Sequence, residues 1–311
     1  MRTSGPAVAL VGPTASGKSA LAHALAFASN DRIEILAVDA MTVYRGMDLA
    51  TAKPTRVERA EVSYHLLDLV APSEEFTVAQ YQRAAREAAS DVWESGRSVL
   101  YVGGTGLYGR AVLDNLAIPG QYPAVKSVLE ARAVDELPAL FEELSVLDPL
   151  AASRMEPTNA RRVIRALEVT LGAGRPFSSY GEGLLTYGPA RVTQVAIQSD
   201  FEQLDVRIAT RFRTWMDQGL LDEVTKLASA PGGMSRTARQ AVGYRELLRH
   251  IEEGADLDAC VEDAIIQSRR LARRQRSWFL RDPRIEWFAD PADARARLVD
   301  VLNGPDGFVR D

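Results

Sequence analysis

The chain has 311 residues, a formal net charge of −5 and a single cysteine, Cys260. This length allows two domains, or one large domain with an insertion. One cysteine excludes a disulfide framework and a cysteine-based zinc site. The acidic balance gives the chain no overall attraction for nucleic acid, so a site for a polyanion must be a local patch. No apolar run could span a bilayer and no signal peptide precedes the first predicted strand, so we expect a cytoplasmic enzyme that is not bound to a membrane.

The N-terminal stretch matches a phosphate-binding loop, here called the P-loop, with the sequence Gly-Pro-Thr-Ala-Ser-Gly-Lys-Ser at residues 12–19. An apolar run, Ala7–Val11, leads into it and an alanine- and leucine-rich run follows. Strand, glycine-rich loop and helix form the context that this pattern requires. Its two glycines allow backbone N–H groups to turn inward on a phosphate. Lys18 would reach the terminal phosphates and the Ser19 hydroxyl is placed to bind Mg²⁺.

A second short apolar run, Ile33–Val38, is followed by Asp39. Strand, helix and strand make a βαβ unit, which predicts a parallel sheet. Ligands of such sheets lie beyond the carboxyl ends of the strands, so Asp39 should reach the edge that carries the P-loop. There a carboxylate is a candidate Mg²⁺ partner or general base, with a solvated loop aspartate as the alternative. Lys53, in a turn-like segment, could meet a phosphate or be a surface lysine.

A further buried strand is predicted at residues 98–102 and ends in Gly103-Gly104-Thr105-Gly106. P-loop ATPases and GTPases usually carry an aspartate there, which holds the Mg²⁺ shell. Two glycines and a threonine replace it in this chain. The replacement counts against a motor, switch or transport ATPase, and Thr105 offers a hydroxyl at the same edge.

The composition changes after about residue 115, and no run typical of a central strand occurs before about residue 190. We interpret this section as a helical insertion into a core of the P-loop NTPase-like α/β class, whose parallel sheet is flanked by helices. The first part of the core, the insertion and the second part of the core are placed at residues 1–115, 116–190 and 191–311. Helices are predicted in the insertion at residues 126–134, 136–147 and 159–171.

Basic residues form two groups that could bind a polyanion. Arg161, Arg162 and Arg165 lie near the start of a predicted helix, where they do not complement its dipole, so they indicate either a polyanion partner or a solvated face. In the second part of the core, a long helix is predicted at 201–227 and an amphipathic helix at 261–279, and the tail after Pro283 is predicted to be peripheral.

The buried stripe of the amphipathic helix should comprise Val261, Ala264, Ile265, Ser268, Leu271, Ala272, Gln275, Trp278 and Phe279. Five arginines lie outside it: Arg269, Arg270, Arg273, Arg274 and Arg276. Because few acids are nearby in the sequence, this stripe favours a nucleic-acid backbone over a solvated face.

Three functional classes remain in view. A transferase that uses a phosphate compound and acts on nucleic acid accounts for both the P-loop and the basic patches. A small-molecule kinase accounts for the first half of the chain but not for the arginine stripe. A non-catalytic RNA-binding protein leaves the P-loop unexplained.

Several motifs in order along nearly the whole chain resemble the bacterial tRNA dimethylallyltransferase family, also called tRNA isopentenyltransferases. They are GPTASGKS at 12–19, Val38-Asp39 running to Lys53-Pro54, VGGTGLY at 102–108, RALEV at 165–169 and QAVGYRE at 240–246. The resemblance implies transfer of a dimethylallyl group from dimethylallyl diphosphate to N6 of the adenine just 3′ of the anticodon, in tRNAs reading codons that begin with U. It also implies Mg²⁺ as cofactor, the anticodon stem-loop as the site of contact, and a monomer without an obligate protein partner.

The resemblance assigns residues to three groups. Catalytic roles fall to Asp39 as the base, to Thr105, and to Arg211 on the diphosphate, with Arg207 as the fallback. The diphosphate would be held by Gly12, Thr14, Ala15, Ser16, Gly17, Lys18, Ser19 and Arg207, with Ser19 also on the metal. Contacts to tRNA would come from Asp39, Ala40, Met41, Thr42, Thr105, Lys126, Arg161, Arg162, Arg165, Gln240, Gly243, Tyr244, Arg245 and Arg273.

Four positions depart from the residues that the family often has. Ala40, Thr42 and Ala50 stand in place of serine, glutamine and glycine, and Tyr64 replaces one histidine of a pair. None of them belongs to the assigned chemistry, so the departures concern contacts with tRNA near Thr42.

Overall fold

The structure is a computed structural model that describes residues 5–181, 183–184 and 186–304. The described residues form two compact units. The first contains the residues up to Asn115 and those from Tyr187 onward, and the second contains Leu116–Thr186. Residues 187–190, which we assigned to the insertion, therefore belong to the first unit.

The first unit is built on a six-stranded parallel sheet with the order β3-β2-β4-β1-β5-β6, which confirms the predicted fold class. Its strands are β1 (Ala7–Val11), β2 (Ile33–Val38), β3 (Tyr64–His65), β4 (Ser98–Gly103), β5 (Thr193–Ile197) and β6 (Ile285–Phe288). The central strands are continuous apolar runs because helices cover both faces of a parallel sheet. The order makes β2, β4 and β1 neighbours, so the segments that follow them meet at one edge.

The helices of the first unit pack around this sheet. They are α1 (Lys18–Ala28), α2 (Arg56–Glu61), α3 (Val78–Glu94), α4 (Gly106–Leu113), α8 (Phe201–Asp217), α9 (Leu220–Ser229), α10 (Tyr244–Glu253), α11 (Leu257–Phe279) and α12 (Pro291–Asn303). None of the helices in the described part of the chain has the length and apolar character needed to cross a membrane.

The second unit contains α5 (Pro123–Leu147), α6 (Pro149–Ala152) and α7 (Ala160–Ala173). Its own core includes Leu140, Leu144 and Val163, which are fully buried. Element α5 is two helices joined at a kink, with non-helical backbone angles at Glu136, which confirms the two helices predicted at 126–134 and 136–147. Pro138 lacks the backbone donor that would bond to the carbonyl of Val134, and its ring crowds that carbonyl, which accounts for the kink between them.

The long helix predicted at 201–227 is wrong, because it is two helices, α8 and α9, separated at Gly219. Gly219 has a φ of 94°. This left-handed conformation costs a glycine little and ends the helix, although the apolar periodicity continues on both sides.

The tail after Pro283 is not peripheral. Residues Ile285–Phe288 add β6 to the sheet beside β5. Helix α12 buries Ala294, Leu298 and Val301 in the same core cluster as β1 residues. Strand β6 has only four residues and one of them is charged, which is too short a pattern to predict a strand from the sequence.

If α12 is part of the core, Leu298→Ala should lower the free energy of unfolding by about 2–5 kcal/mol, since it leaves a cavity under a fully buried side chain. Urea unfolding followed by circular dichroism measures this. Val299→Ala is the control, because Val299 is 37% exposed on the same helix and should change stability by less than about 0.5 kcal/mol. Equal, small losses in the free energy of unfolding for both variants would indicate that the tail is peripheral after all.

Candidate active site

The P-loop joins β1 to α1 through a turn in which three residues have positive φ. Gly12, Ala15 and Gly17 have φ values of 145°, 63° and 90°. Ala15 holds a left-handed conformation that costs a non-glycine residue about 1–2 kcal/mol. Successive amides in such a turn, followed directly by the start of a helix, form a concave site for an anion. The hydroxyl of Ser16 is buried there and has no hydrogen-bond partner among the described residues.

Lys18 is the first residue of α1 and its Nζ donates to Pro13 O at 3.0 Å. Burial and, to a smaller degree, the charge of Arg211 lower the pKa of Lys18 to about 8, with the charge of Asp39 opposing both. An ammonium in this environment gains most when an anion arrives, because the anion replaces the solvation that burial removed.

Two arginines on one face of α8 approach the P-loop. Arg211 donates from a terminal nitrogen to Thr14 Oγ1 at 2.8 Å and lies over the Trp215 ring at 4.7 Å. Its Nε is buried without a partner in the described residues, and burial lowers its pKa to about 10. Arg207 is exposed and makes only a 3.5 Å contact with Ala15 O. Both reach the loop, and Arg211 is the one held rigidly beside it.

Asp39 follows β2 and its carboxylate is fixed by two donors. Oδ1 accepts from the Met41 amide at 2.8 Å and Oδ2 accepts from Thr105 Oγ1 at 3.2 Å. Burial raises the pKa of Asp39. The hydrogen bond from Met41, the charge of Lys18 and the hydrogen bond from Thr105 lower it, but burial has the larger effect. A carboxylate with a raised pKa is a stronger base than an ordinary aspartate, and it is held in one orientation.

The glycines after β4 serve close packing by the protein itself. A Cβ on Gly103 would lie 2.1 Å from Val38 O, and one on Gly106 would lie 2.2 Å from Trp278 Nε1. Only glycine allows the end of β2 and the indole of α11 to come this close. Thr105 is thereby held between two fixed points, beside Asp39.

The donor set fits Mg²⁺ only together with a bound phosphate compound. No group of three or more histidine, cysteine, aspartate or glutamate side chains suited to a metal occurs in the described residues. The Ser19 hydroxyl is exposed at the start of α1, and no hydrogen-bond partner for it lies in the same described part. Mg²⁺ commonly takes few protein ligands and completes its shell with water and substrate phosphates, which this arrangement allows.

Lys53 does not meet a phosphate. Its ammonium is buried and donates to Tyr44 O at 2.6 Å, Asp48 at 2.8 Å and Asp68 at 2.6 Å. All of its donor positions are therefore occupied. Lys53 holds the segment after Asp39 together, which is neither of the two alternatives considered from the sequence.

The segment after Asp39 presents the predicted tRNA contacts unevenly. Ala40 and Met41 are half-buried, and Thr42 is buried. The Ala40 amide approaches Thr105 Oγ1 at 3.4 Å. Ala40 and Met41 thus lie against the Asp39–Thr105 pair through their backbone amides.

Two residues predicted to contact tRNA lie in the protein interior instead. Tyr244 is completely buried and its hydroxyl donates to Glu223. The Gly243 amide donates to Glu246 Oε2 at 2.8 Å, and a Cβ there would meet Ala50 at 3.0 Å. Their part of the QAVGYRE motif is explained by packing.

The two polar residues that flank this pair remain accessible. Gln240 is exposed, and Arg245 is half-buried and paired with Glu246. A contact with tRNA at this motif would therefore come from Gln240 or Arg245.

The prediction that few acids neutralise the arginine stripe is wrong for part of it. Asp205 of α8 accepts from both terminal nitrogens of Arg273, at 3.0 and 2.7 Å, and also lies 4.0 Å from Arg269. The sequence did not reveal this because the acid lies on another helix. Arg270 and Arg274 are exposed, and neither has an ion-pair partner in the residues described.

The predicted cations of the insertion also differ in availability. Arg161 and Arg162 are exposed on the first turn of α7, with no ion pair to another described residue. Arg165 pairs with Glu168 at 3.0 Å and donates to a backbone carbonyl. Lys126 has a loose contact with a glutamate of its own helix at 3.7 Å.

No part in the active site was predicted for Gln275 from the sequence. Its Oε1 accepts from the Thr14 amide of the P-loop at 2.7 Å. The available signal was a long polar amide within the predicted apolar stripe of an amphipathic helix.

The lowered pKa of Lys18 gives a testable dependence on pH. Above about pH 8 the free protein loses the Lys18 proton, so binding of an anion must restore it. The affinity for inorganic diphosphate should therefore fall about tenfold between pH 7 and pH 9. Isothermal titration calorimetry measures this. Lys18→Met should bind weakly and lack this fall, and a wild-type profile parallel to that of Lys18→Met would contradict the assignment.

Comparisons of this chain with known proteins agree on one family. The IPP transferase family model matches residues 42–282. A tRNA dimethylallyltransferase of Salinispora arenicola (strain CNS-205) is 46% identical over 285 residues, covering 91% of this chain and 82% of that protein. One from Bifidobacterium animalis subsp. lactis (strain AD011) is 43% identical over 286 residues, with the same two coverages.

A solved structure agrees with these relatives. The crystal structure of the full-length tRNA isopentenylpyrophosphate transferase from Bacillus halodurans matches with a TM-score of 0.67 at 33% identity, over 96% of each chain. The family model and the relatives both span most of the chain. The chain belongs to the IPP transferase family.

Proposed function

We propose that this protein transfers a dimethylallyl group from dimethylallyl diphosphate to N6 of the adenine just 3′ of the anticodon, in tRNAs reading codons that begin with U. The observation that carries the proposal is the half-buried Asp39 carboxylate, held by Thr105 at the same sheet edge as the P-loop. An anion site and an oriented base side by side are what this substitution needs. Relatives that are named tRNA dimethylallyltransferases support it.

The reaction is a displacement at carbon. The N6 lone pair of adenine forms a bond to C1 of the dimethylallyl group while the bond from C1 to the diphosphate oxygen breaks. Diphosphate leaves with the bonding electrons, and the N6 proton passes to Asp39. The exocyclic amine is a poor nucleophile, so a carboxylate with a raised pKa within reach of that proton assists the step.

The leaving group gains negative charge as the bond breaks, and the site concentrates positive potential there. The P-loop amides and the start of α1 supply fixed dipoles, and Lys18 and Arg211 supply two half-buried, desolvated cations. Such groups stabilise the transition state strongly because they are oriented before the charge develops. Arg211 is the arginine we assign to the diphosphate, because Thr14 and Trp215 fix it.

Mg²⁺ would be held by the Ser19 hydroxyl and by oxygens of the diphosphate. When bound, it would neutralise part of the charge on the leaving group. We assign Asp39 to the N6 proton and not to the metal, because Met41 and Thr105 orient its carboxylate and burial raises its pKa.

Binding of tRNA would rest on separated basic residues, since the chain as a whole is acidic. The exposed Arg270 and Arg274 of α11 and Arg161 and Arg162 of α7 are suited to phosphate contacts. The target adenine must leave its stack to reach Asp39, as is usual for enzymes that modify a base. We further propose that the protein acts as a monomer in the cytoplasm, without an obligate protein partner.

Replacement of the base tests the function directly. Asp39→Asn should lower kcat by about 10²–10⁴-fold, while the affinity for tRNA stays within about twofold, because the amide keeps the shape but cannot take the proton. A filter assay of labelled dimethylallyl diphosphate and unmodified tRNA measures both quantities.

In the wild type, kcat/KM should fall as the pH decreases. The fall should begin at a pH above the ordinary range of aspartate pKa values, because the carboxylate is protonated below its raised pKa.

Asp91→Asn is the matched control, because Asp91 is exposed on α3. Its rate should equal that of the wild type. Full activity of Asp39→Asn would remove Asp39 from the reaction.

The salt dependence of tRNA binding separates the two kinds of arginine on α11. Arg274→Ala should reduce the slope of log K against log[salt] by about 0.7–0.9, the value for one lost phosphate contact. Arg273→Ala should leave the slope close to wild type, because Asp205 already occupies that guanidinium. Fluorescence anisotropy of a labelled anticodon stem-loop measures the slopes, and the reverse order of effects would place Arg273 on the phosphates.

A further inference from the structure

Gln275 lies where two segments of the active site meet. Its Oε1 accepts the Thr14 amide hydrogen at 2.7 Å, on the P-loop that follows β1. Its Nε2 lies over Gly104, in the segment that follows β4, so closely that a Cβ on Gly104 would be 2.8 Å from it. One side chain of α11 thus spans the ends of two neighbouring strands.

Thr14 is consequently held from two directions. The backbone amide of Thr14 is bound to Gln275 on α11, and its hydroxyl accepts from Arg211 on α8 at 2.8 Å. The two helices are themselves joined by the paired contacts between Arg273 and Asp205. Together α8 and α11 form a clamp on one residue of the P-loop, and this gives Arg273 a structural reason for its position.

Loss of the Gln275 acceptor would leave the Thr14 amide without its partner. A partly buried donor without an acceptor is unfavourable, so the loop would turn to satisfy it. Such a turn would also move Thr14 Oγ1 away from Arg211. The cation and the loop amides would then no longer be aligned with each other.

We propose that Gln275 is a positioning residue that sets the P-loop in register with Thr105 and Arg211, and so controls the affinity of the site for the diphosphate group. This role rests on the proposed function, because it deepens the assignment of the P-loop to a prenyl diphosphate. It acts through Thr14 and requires no contact between Gln275 and the donor.

The test compares two glutamines on the same helix. Gln275→Met keeps the length and shape of the side chain but removes the acceptor. Gln267→Met is the control, because Gln267 bonds to Asp263 within α11 and to no other described residue, and it lies eight residues earlier, about 12 Å along the helix. For each variant, calorimetry gives the Kd for inorganic diphosphate, the transfer assay gives kcat and KM for dimethylallyl diphosphate, and anisotropy gives the tRNA affinity.

Gln275→Met should bind inorganic diphosphate about tenfold more weakly and raise the KM for the donor to a similar degree. Its tRNA affinity and thermal midpoint should match those of Gln267→Met. A diphosphate Kd equal to that of Gln267→Met would overturn the inference. So would a parallel loss of diphosphate affinity, tRNA affinity and thermal stability, which would indicate general packing.

Measurements on the wild-type protein distinguish a failure of this inference from a failure of the proposed function. If the wild type transfers the prenyl group and Gln275→Met binds diphosphate normally, only the positioning role fails. If the wild type neither binds diphosphate nor transfers the group, the proposed function fails and the role of Gln275 fails with it.

Discussion

Burial of opposite charges at one edge of the sheet is the constraint on which the site depends. Lys18 and Arg211 are desolvated enough to lower their pKa values, while Asp39 is desolvated enough to raise its own. Each of these charges would be costly alone; the attraction between Lys18 and Asp39 offsets part of that cost, whereas Arg211 opposes the charge of Lys18. An arriving diphosphate adds the charge that the two cations lack, so the folded protein is prepared for its ligand in advance.

The strand order explains why these groups meet. Lys18, Asp39 and Thr105 lie on the segments that follow β1, β2 and β4, which are neighbours in the sheet although β4 lies far along the chain. Glycines at the end of β4 bring the backbone against Val38 and the Trp278 indole, so that Thr105 reaches the Asp39 carboxylate. Helices α8 and α11 then approach from outside the sheet and fix the P-loop through Arg211 and Gln275.

Features with a local physical cause could be predicted from the sequence. The P-loop, Asp39 and Thr105 each follow a short apolar run, and the rule that ligands lie beyond the carboxyl ends of parallel strands placed them together.

Partners that lie far apart in sequence could not be predicted. Asp205 neutralises Arg273 from another helix, and Lys53 turned inward to two aspartates rather than outward to a phosphate. Gly219 divided a continuous apolar pattern because its positive φ is a property of the backbone and leaves the periodicity unchanged.

The most direct measurement of the central claim offers the protein two donors. Purified protein, Mg²⁺ and unmodified tRNA with adenine next to the anticodon are incubated with labelled dimethylallyl diphosphate, or in parallel with γ-labelled ATP. The account predicts that label enters the tRNA from the prenyl donor alone, with one diphosphate released for each group transferred. Consumption of ATP with no transfer from the prenyl donor would contradict it and would indicate a kinase built on the same loop.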